Sequence, residues 1–505
     1  MTLPRWSVAL YEAGEMRAVD AWAIGEAGVP SVDLMERAGE GLARLTAEVA
    51  TGDGAVVVVV GRGNNGGDGL VVARLLRQDG HEVEVVALGD LDELEGDPAA
   101  NLERLPGPTP VPFDPDRLAG ASVIVDAMLG TGFEGEPREP VAGAIAAIGD
   151  SGVPVVACDV PSGVNASTGE VAGDAVWATV TGTFHGAKIG LHVAPGALHA
   201  GRVEVIPIGV PRGAPAPAVA GLIGAEVLEM VPPRSRDGSK FLSGVVVVAA
   251  GSRGLTGAPT MVALAAQRTG AGYVQCAVPA SAEQSLELRL LEAMTRGLPE
   301  DDGAHTGQGA DVVAEMAERA GAVVLGPGIG KGDGAVAFAR GVASRVDAPL
   351  VIDADGLNAF AGRIEDLRER AAYTVLTPHE GEMGRLLDRP SDEVSRQRLA
   401  SVREAAERSG CVVLLKGDDT IVAAPGGPVA ISAGATPALA TAGTGDVLSG
   451  IVAALLSKGL DPLEAASAAV LAHARAGRAA AERIGGADHV VAGDVIESIP
   501  AGMRR

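Results

Sequence analysis

The feature that most constrains the fold is a recurring alternation. Short runs of β-branched and aliphatic residues, such as VVVVV (56–60), VEVVAL (83–88), SVIVDAM (122–128) and VPVVACDV (153–160), are separated by longer amphipathic segments. After residue 240 the pattern restarts with GVVVVAAG (244–251), YVQCAVP (273–279), AVVLGPG (322–328), PLVIDADG (349–356), YTVLTPHE (373–380) and CVVLLKG (411–417). Continuously apolar strands linked by helical stretches predict parallel sheets covered on both faces, an α/β class of fold.

A chain of 505 residues is long enough for two or three domains. The alternation resets at VPRGAPAPAVAG (210–221), a Pro- and Ala-rich stretch that reads as a linker. The expected organisation is a first domain over 1–212, a linker over 213–221 and a second domain over 222–505. The formal charge of −25 (40 basic against 65 acidic residues) disfavours nucleic acid and anionic membrane surfaces as partners. It is compatible with a homo-oligomer. Three well-separated cysteines, Cys158, Cys276 and Cys411, fit buried reduced thiols. No run reaches the roughly 18 apolar residues of a membrane helix, and the N-terminal stretch lacks a signal-peptide core, so a cytoplasmic location is expected.

In the first half, the valines of VVVVVGRGNNGGDGL (56–70) predict a central strand, and LVVARLLRQDG (70–80) predicts the helix after it. GRGNNGGDG then reads as the strand-to-helix turn, where backbone amides and the helix dipole favour an anion. Asn64, Asn65 and Asp68 add oxygens suited to a hard cation or a sugar hydroxyl. Asp126 and Asp159 also fall at strand ends, and Ser162 follows Asp159 by three residues. Strand ends in one such sheet converge on one crevice.

Together with EMRAVDAWAI, LMERAG, DAMLGTGFEG, DVPSGVNASTGE and TFHGAKIGL, these motifs make residues 10–210 resemble the NAD(P)H-hydrate epimerase family. The resemblance implies a Rossmann-like three-layer αβα domain. It implies substrate contacts at Asn64, Asn65, Gly66, Gly67 and Asp68, and a potassium ion held by Asn65, Asp126 and Ser162. It also implies a loop that closes on substrate, comprising Gly130, Thr131, Gly132, Phe133, Glu134, Gly135 and Glu136, and an acid/base role for Asp159. Lys188 lies in a segment the family shares. Ala187 replaces the usual proline before it, which suggests a looser loop, and Lys188 reads either as a phosphate or substrate contact or as a solvated surface lysine.

In the second half, PALATAGTGDVLSGIVAALLSKG (437–459) predicts a helix opened by GTGD. Gly443 to Gly445 leave amides bare at its start, an anion hole, with Asp446 placed to accept a hydroxyl proton. With GSRGLTGAP, VLGPGIG, VIDADGLNAF, VLTPHEGEMGRLL and LLKGDDTIVA, residues 222–500 are similar to the ADP-dependent NAD(P)H-hydrate dehydratase family of the ribokinase-like fold. The similarity implies dinucleotide contacts at Ala258, Gly328, His379 and Asp446. It implies ADP contacts at Lys416, Gly417, Asp418, Asp419, Thr420 and Gly445, with Mg²⁺ accompanying ADP. Leu255 departs from the family's usual tyrosine. Asp353 and Asp355 read either as magnesium ligands or as turn caps.

The combined expectation is a bifunctional repair enzyme. One half would interconvert the R and S hydrates of NADH and NADPH, and the other would dehydrate the S form with ADP, releasing AMP and phosphate. NAD(P)H hydrate and ADP are then the expected small-molecule ligands. The rival is a vitamin or sugar kinase of the same fold fused to a non-catalytic nucleotide-binding module.

Overall fold

The computed structural model describes residues 3–214, 218–234 and 239–505. Residues 215–217, inside the expected linker, lie outside the described residues. The chain forms two compact units, one of Met1–Leu3 and Ala9–Gly221, the other of Pro4–Val8 and Leu222–Arg505. Residues 4–8 thus count with the second unit, although the sequence pattern assigns them to the first.

The first unit is α/β, as expected. Its seven strands are all parallel, in the spatial order Val111–Pro112, Val83–Ala87, Val56–Val60, Val123–Ala127, Val155–Cys158, Val180–Phe184, Arg202–Ile206. Numbered along the chain this is 3-2-1-4-5-6-7. The order reverses between Val56–Val60 and Val123–Ala127, and that reversal opens the crevice where ligands bind in such sheets. The valine run has no polar position because both of its faces are covered. Val56, Val58 and Val60 enter a core shared with the helices Ser31–Val49 and Asn64–Gln78. Val57 and Val59 enter another, shared with the helix Val141–Ser151.

The helix after the first strand begins at Asn64, six residues before the start predicted from the sequence. NNGGDG is therefore its first turns and not a loop. The reason is close packing. A Cβ on Gly61 would lie 2.1 Å from the Met128 carbonyl oxygen, and one on Gly66 would lie 2.0 Å from the Gly61 carbonyl oxygen. These glycines let the helix start directly against the strand ends.

The second unit holds an eleven-stranded sheet. Seven parallel strands run, in spatial order, Val412–Leu415, Thr374–Leu376, Leu350–Ile352, Ala322–Leu325, Val245–Ala249, Tyr273–Pro279, Met294–Leu298. Numbered along the chain and read from the Met294–Leu298 edge, this is again 3-2-1-4-5-6-7. Ile421–Ala423 and Val429–Ile431 extend it antiparallel. Ala220–Ile223 follows, and Ser7–Leu10 forms the edge. One face packs on the helices Gly257–Thr269, Thr444–Ser457 and Pro462–Ile484. All three cysteines are buried and unpaired. Among the described residues no helix is long and apolar enough to cross a membrane.

Candidate functional site

In the first unit, two polar networks meet at the reversal of strand order. The first centres on Asp126, fully buried near the end of its strand. The Ser162 hydroxyl donates to its Oδ1 at 2.6 Å and the Ser162 amide to its Oδ2 at 2.8 Å. The Leu129 amide donates to the Ser162 hydroxyl, and Asn65 Nδ2 donates to the Leu129 carbonyl at 2.8 Å. Burial pushes the Asp126 carboxyl up to about 6 despite these donors. The set offers hard oxygens and a desolvated carboxylate that a cation would relieve, so its chemistry fits a hard cation.

The second network centres on Asp159. Its φ of 67° is unusual for a residue with a side chain, and it turns the chain sharply at the end of Val155–Cys158. Its Oδ1 accepts from Lys188 Nζ at 2.5 Å, from the Thr183 hydroxyl at 3.1 Å and from the Phe184 amide at 3.1 Å. Lys188 is 1% exposed and also donates to Thr183 Oγ1 and the Phe184 carbonyl, both at 3.0 Å. The solvated alternative for Lys188 is thereby corrected: this lysine is a strut beneath Asp159. Nor is its segment loose at Ala187: the Tyr11 amide donates to the Ala187 carbonyl at 2.9 Å, and the Ile189 amide donates to the Tyr11 carbonyl at 3.1 Å.

Asp159 and Lys188 line a pocket of about 180 Å³ with Asp20, Asn64, Asp68 and Thr131. Burial, then the charges of Asp159 and Asp20, raise the Asp68 carboxyl well above the ordinary carboxylate range. Burial also raises Asp20, an effect that Lys188 offsets and Asp159 adds to. The pocket therefore pairs a lysine-bound carboxylate with carboxyls that hold protons readily.

In the second unit, the helix Thr444–Ser457 opens at Gly443, whose φ of 90° requires glycine. Asp446 sits in its first turn. Lys416, just after Val412–Leu415, donates to Asp353 Oδ1 at 2.9 Å and lies 3.7 Å from Glu382 Oε2. Asp353 Oδ2 accepts from the Ser449 hydroxyl at 2.8 Å. Burial, reinforced by Asp353 and opposed by Lys416, raises Asp446 to about 7. Burial disfavours charge on Lys416, but Asp353, Glu382 and Asp446 together outweigh it and hold its pKa above the ordinary value. A cavity of about 420 Å³ opens beside this group, lined in part by Lys416, Thr420, Leu439, Gly445, Val470 and His473.

The comparisons with known proteins agree with this division. Residues 31–190 match the family described as YjeF-related protein N-terminus, and residues 246–501 match NAD(P)H-hydrate dehydratase. The bifunctional NAD(P)H-hydrate repair enzyme Nnr of Salinibacter ruber is 42% identical over 520 residues, covering 97% of this chain and 95% of that one. The protein of the same name from Moorella thermoacetica is 38% identical, covering 98% and 96%. The chain belongs to the bifunctional NAD(P)H-hydrate repair enzyme family. Among solved structures, the ADP/ATP-dependent NAD(P)H-hydrate dehydratase of Bacillus subtilis, co-crystallised with ATP/Mg²⁺, is 27% identical. It covers 55% of this chain and 94% of its own, with a TM-score of 0.47.

The structure brings some of the expected epimerase residues together and leaves others apart. Asn64, Asp68, Thr131 and Asp159 share one pocket, and Asn65, Asp126 and Ser162 share one network. A Cβ on Gly130 would rest against the Asn65 side chain. Gly66 packs on Gly61, and Gly67 packs on Met35 and Pro98, so both serve the helix start. Gly132, Glu134, Gly135 and Glu136 are exposed and, with Phe133, do not line the pocket.

In the dehydratase unit, Lys416, Gly417, Asp418, Thr420 and Gly445 line the cavity. Asp419 does not: its carboxylate faces Arg398, with Nη2 at 2.9 Å and Nε at 3.1 Å. Arg398 also donates to the Lys416 carbonyl, so this buried pair braces the loop from beneath. Ala258 and Gly328 adjoin, a Cβ on Gly328 falling 3.3 Å from that of Ala258. His379 caps the helix Glu380–Leu387 through Nδ1, and its Nε2 lies 3.6 Å from Glu382 Oε1. Asp353 is bonded at both oxygens, and Asp355 accepts from the Gly330 amide and Asn358. Among the described residues no group of three or more His, Cys, Asp or Glu could hold a metal. Sequence reasoning passed over Asp20, Arg398 and Ser449. Only Ser449 left a signal, three residues after Asp446 on the same helix face.

Proposed function

We infer that this chain repairs hydrated NADH and NADPH in two steps, epimerising the C6 hydroxyl in the first unit and dehydrating the S form in the second. For the second step the carrying observation is Asp446 beside Lys416 at the glycine-capped start of a helix, next to a nucleotide-sized cavity. Asp446 takes the C6 hydroxyl proton, and the oxygen attacks the terminal phosphorus of ADP as the bond to the bridging oxygen breaks. AMP leaves, then phosphate departs from C6, and a ring proton is lost to restore the reduced nicotinamide. Lys416 and the Gly443–Gly445 amides hold the developing negative charge. Magnesium, when bound, would neutralise phosphate charge, and the tied state of Asp353 and Asp355 fits an ion that arrives with the nucleotide.

For epimerisation, Asp159 is the group that moves protons at C6, and Lys188 fixes its orientation. Asn65, Asp126 and Ser162 would hold potassium, which supplies a fixed positive charge near substrate oxygens.

The test supplies both NADH hydrate epimers with K⁺, Mg²⁺ and either ADP or ATP, and follows the near-ultraviolet absorbance of regenerated NADH. Full recovery with ADP, faster than spontaneous epimerisation, is expected. A halt at the S fraction would remove the epimerase assignment, and no recovery with either nucleotide would remove the dehydratase assignment.

A further inference from the structure

The Asp159 pocket is too small for the substrate assigned to it. At about 180 Å³ it falls below the roughly 300–1,000 Å³ of sites that enclose drug-sized ligands, and a dinucleotide is larger than these. A pocket of this size suits one end of the dinucleotide, and the other end then needs a second site.

A cavity of about 630 Å³ lies at the end of the neighbouring strand, Val83–Ala87. Its walls include Leu91, Leu102, Leu105, Pro108 and Pro110, flat apolar surfaces of the kind that hold a base. Asp90 and Asp92 stand at its rim. Asp90 uses one carboxylate oxygen to cap the turn Leu91–Glu93, accepting from the Asp92 amide at 2.9 Å.

Two features connect the cavity to the Asp159 pocket. One is the helix Gly96–Glu103: Asp97 near its start lines the Asp159 pocket, and Leu102 near its end lines the larger cavity. Five residues of helix separate them by about 8 Å, a gap that a pyrophosphate with its riboses spans. The other is Arg62, in the turn before Asn64. Its side chain reaches over Gly89, where a Cβ would lie 3.3 Å from Arg62 Cδ, to pair with Glu93 at 2.6 Å. An exposed guanidinium thus stands beside the route between the two cavities.

We propose that this cavity is the adenosine subsite of the epimerase, with the base against Leu102 and Leu105, the ribose hydroxyls at Asp90, and the pyrophosphate passing Arg62. This rests on the epimerase reading. In the 3-2-1-4 order an acidic residue at the end of the second strand suits a ribose 2′-hydroxyl and repels a 2′-phosphate.

The test compares epimerisation of three hydrates: those of NADH, of NADPH and of reduced nicotinamide mononucleotide, which lacks adenosine. Wild type is expected to favour NADH hydrate over the mononucleotide hydrate by about tenfold or more in kcat/KM. Leu105→Trp, which fills the cavity, removes that preference by raising KM for the dinucleotide with kcat unchanged, as expected for lost uniform binding. Asp90→Ala, at an exposed position, raises KM for NADH hydrate and lowers it for NADPH hydrate, and it serves the same purpose if the tryptophan variant does not fold. Adenosine 5′-monophosphate competes with NADH hydrate in wild type and less in either variant. Equal use of the dinucleotide and mononucleotide hydrates by wild type, or unchanged ratios in a folded variant, would overturn the subsite while leaving the epimerase standing. Absence of epimerisation of every hydrate by wild type would instead reject the epimerase and the subsite with it.

Discussion

Both units set a lysine against an aspartate at the end of a parallel strand, and the two pairs are built for different work. Lys188 is sealed in and spends its donors on Asp159, Thr183 and the Phe184 carbonyl. Lys416 donates to Asp353, with Glu382 beyond hydrogen-bonding distance, and its side chain borders an open cavity. Under the proposed function the first lysine is a fixed support for the acid/base group Asp159. The second, at the cavity wall, would meet a phosphate that comes and goes. A strand-end lysine in an α/β sheet is thus not a phosphate ligand by default; what surrounds its ammonium decides.

The sharpest way to break this comparison is to remove each acid/base group. Asp159→Asn should cut epimerisation by about 10²–10⁴-fold and leave dehydration of the S hydrate unchanged, and Asp446→Asn should do the reverse. Separate rate measurements on each epimer check both. Next are the lysines. Lys188→Met breaks a buried pair and should cost the first unit about 3–5 kcal/mol in denaturant unfolding. Lys416→Met should weaken nucleotide use with a smaller stability loss, because its side chain is 21% exposed against 1% for Lys188. Similar losses for both would erase the contrast between a strut and a ligand.

Smaller effects concern pH. Asp446 must be ionised to act as a base, so dehydratase kcat/KM should rise through about pH 7 and level off above it. Lys416→Met should move that limb to higher pH, since Lys416 lowers the Asp446 pKa. The sign is opposite for stability. The folded protein binds this proton more tightly than the unfolded chain, so the contribution of Asp446 is lost as pH rises from its ordinary range near 4 through about 7. In the first unit, potassium dependence should steepen as pH falls through about 6, where Asp126 protonates, while dehydration of the S hydrate stays indifferent to potassium. Smallest is Thr183→Val, which removes one neutral donor to Asp159. It should cost about 1 kcal/mol and slow epimerisation modestly.

Much of this molecule is legible in the sequence because its strands are buried on both faces. An unbroken run such as Val56–Val60 has few other uses, and the reset after residue 240 exposes the second sheet. The glycine turns announce where ligands can approach. What stayed hidden depends on separations that no pattern encodes. Lys188 and Asp159 are 29 residues apart and meet only because Val155–Cys158 and Val180–Phe184 are neighbours. Asp419 sits among ligand-like residues, yet it turns away because Arg398 arrives from a preceding helix. The start of Asn64–Gln78 was misplaced because glycines that normally weaken a helix are needed here for contact with the strand ends.

The placement of residues 4–8 has a consequence for how the protein is made. Trp6 is buried in the core of the second unit, its carbonyl accepts from the Gly224 amide, and Ser7–Leu10 neighbours Ala220–Ile223, which itself neighbours Val429–Ile431. At roughly 5–20 residues per second, the ribosome needs on the order of 20–85 s between residue 8 and residue 429. For that interval an indole and a strand edge wait for the sheet that will cover them, while the first unit's own strands are complete and free to fold. Chaperone capture of nascent chains should therefore fall on this early segment, and Trp6→Ala should lessen it even as it loosens the finished dehydratase.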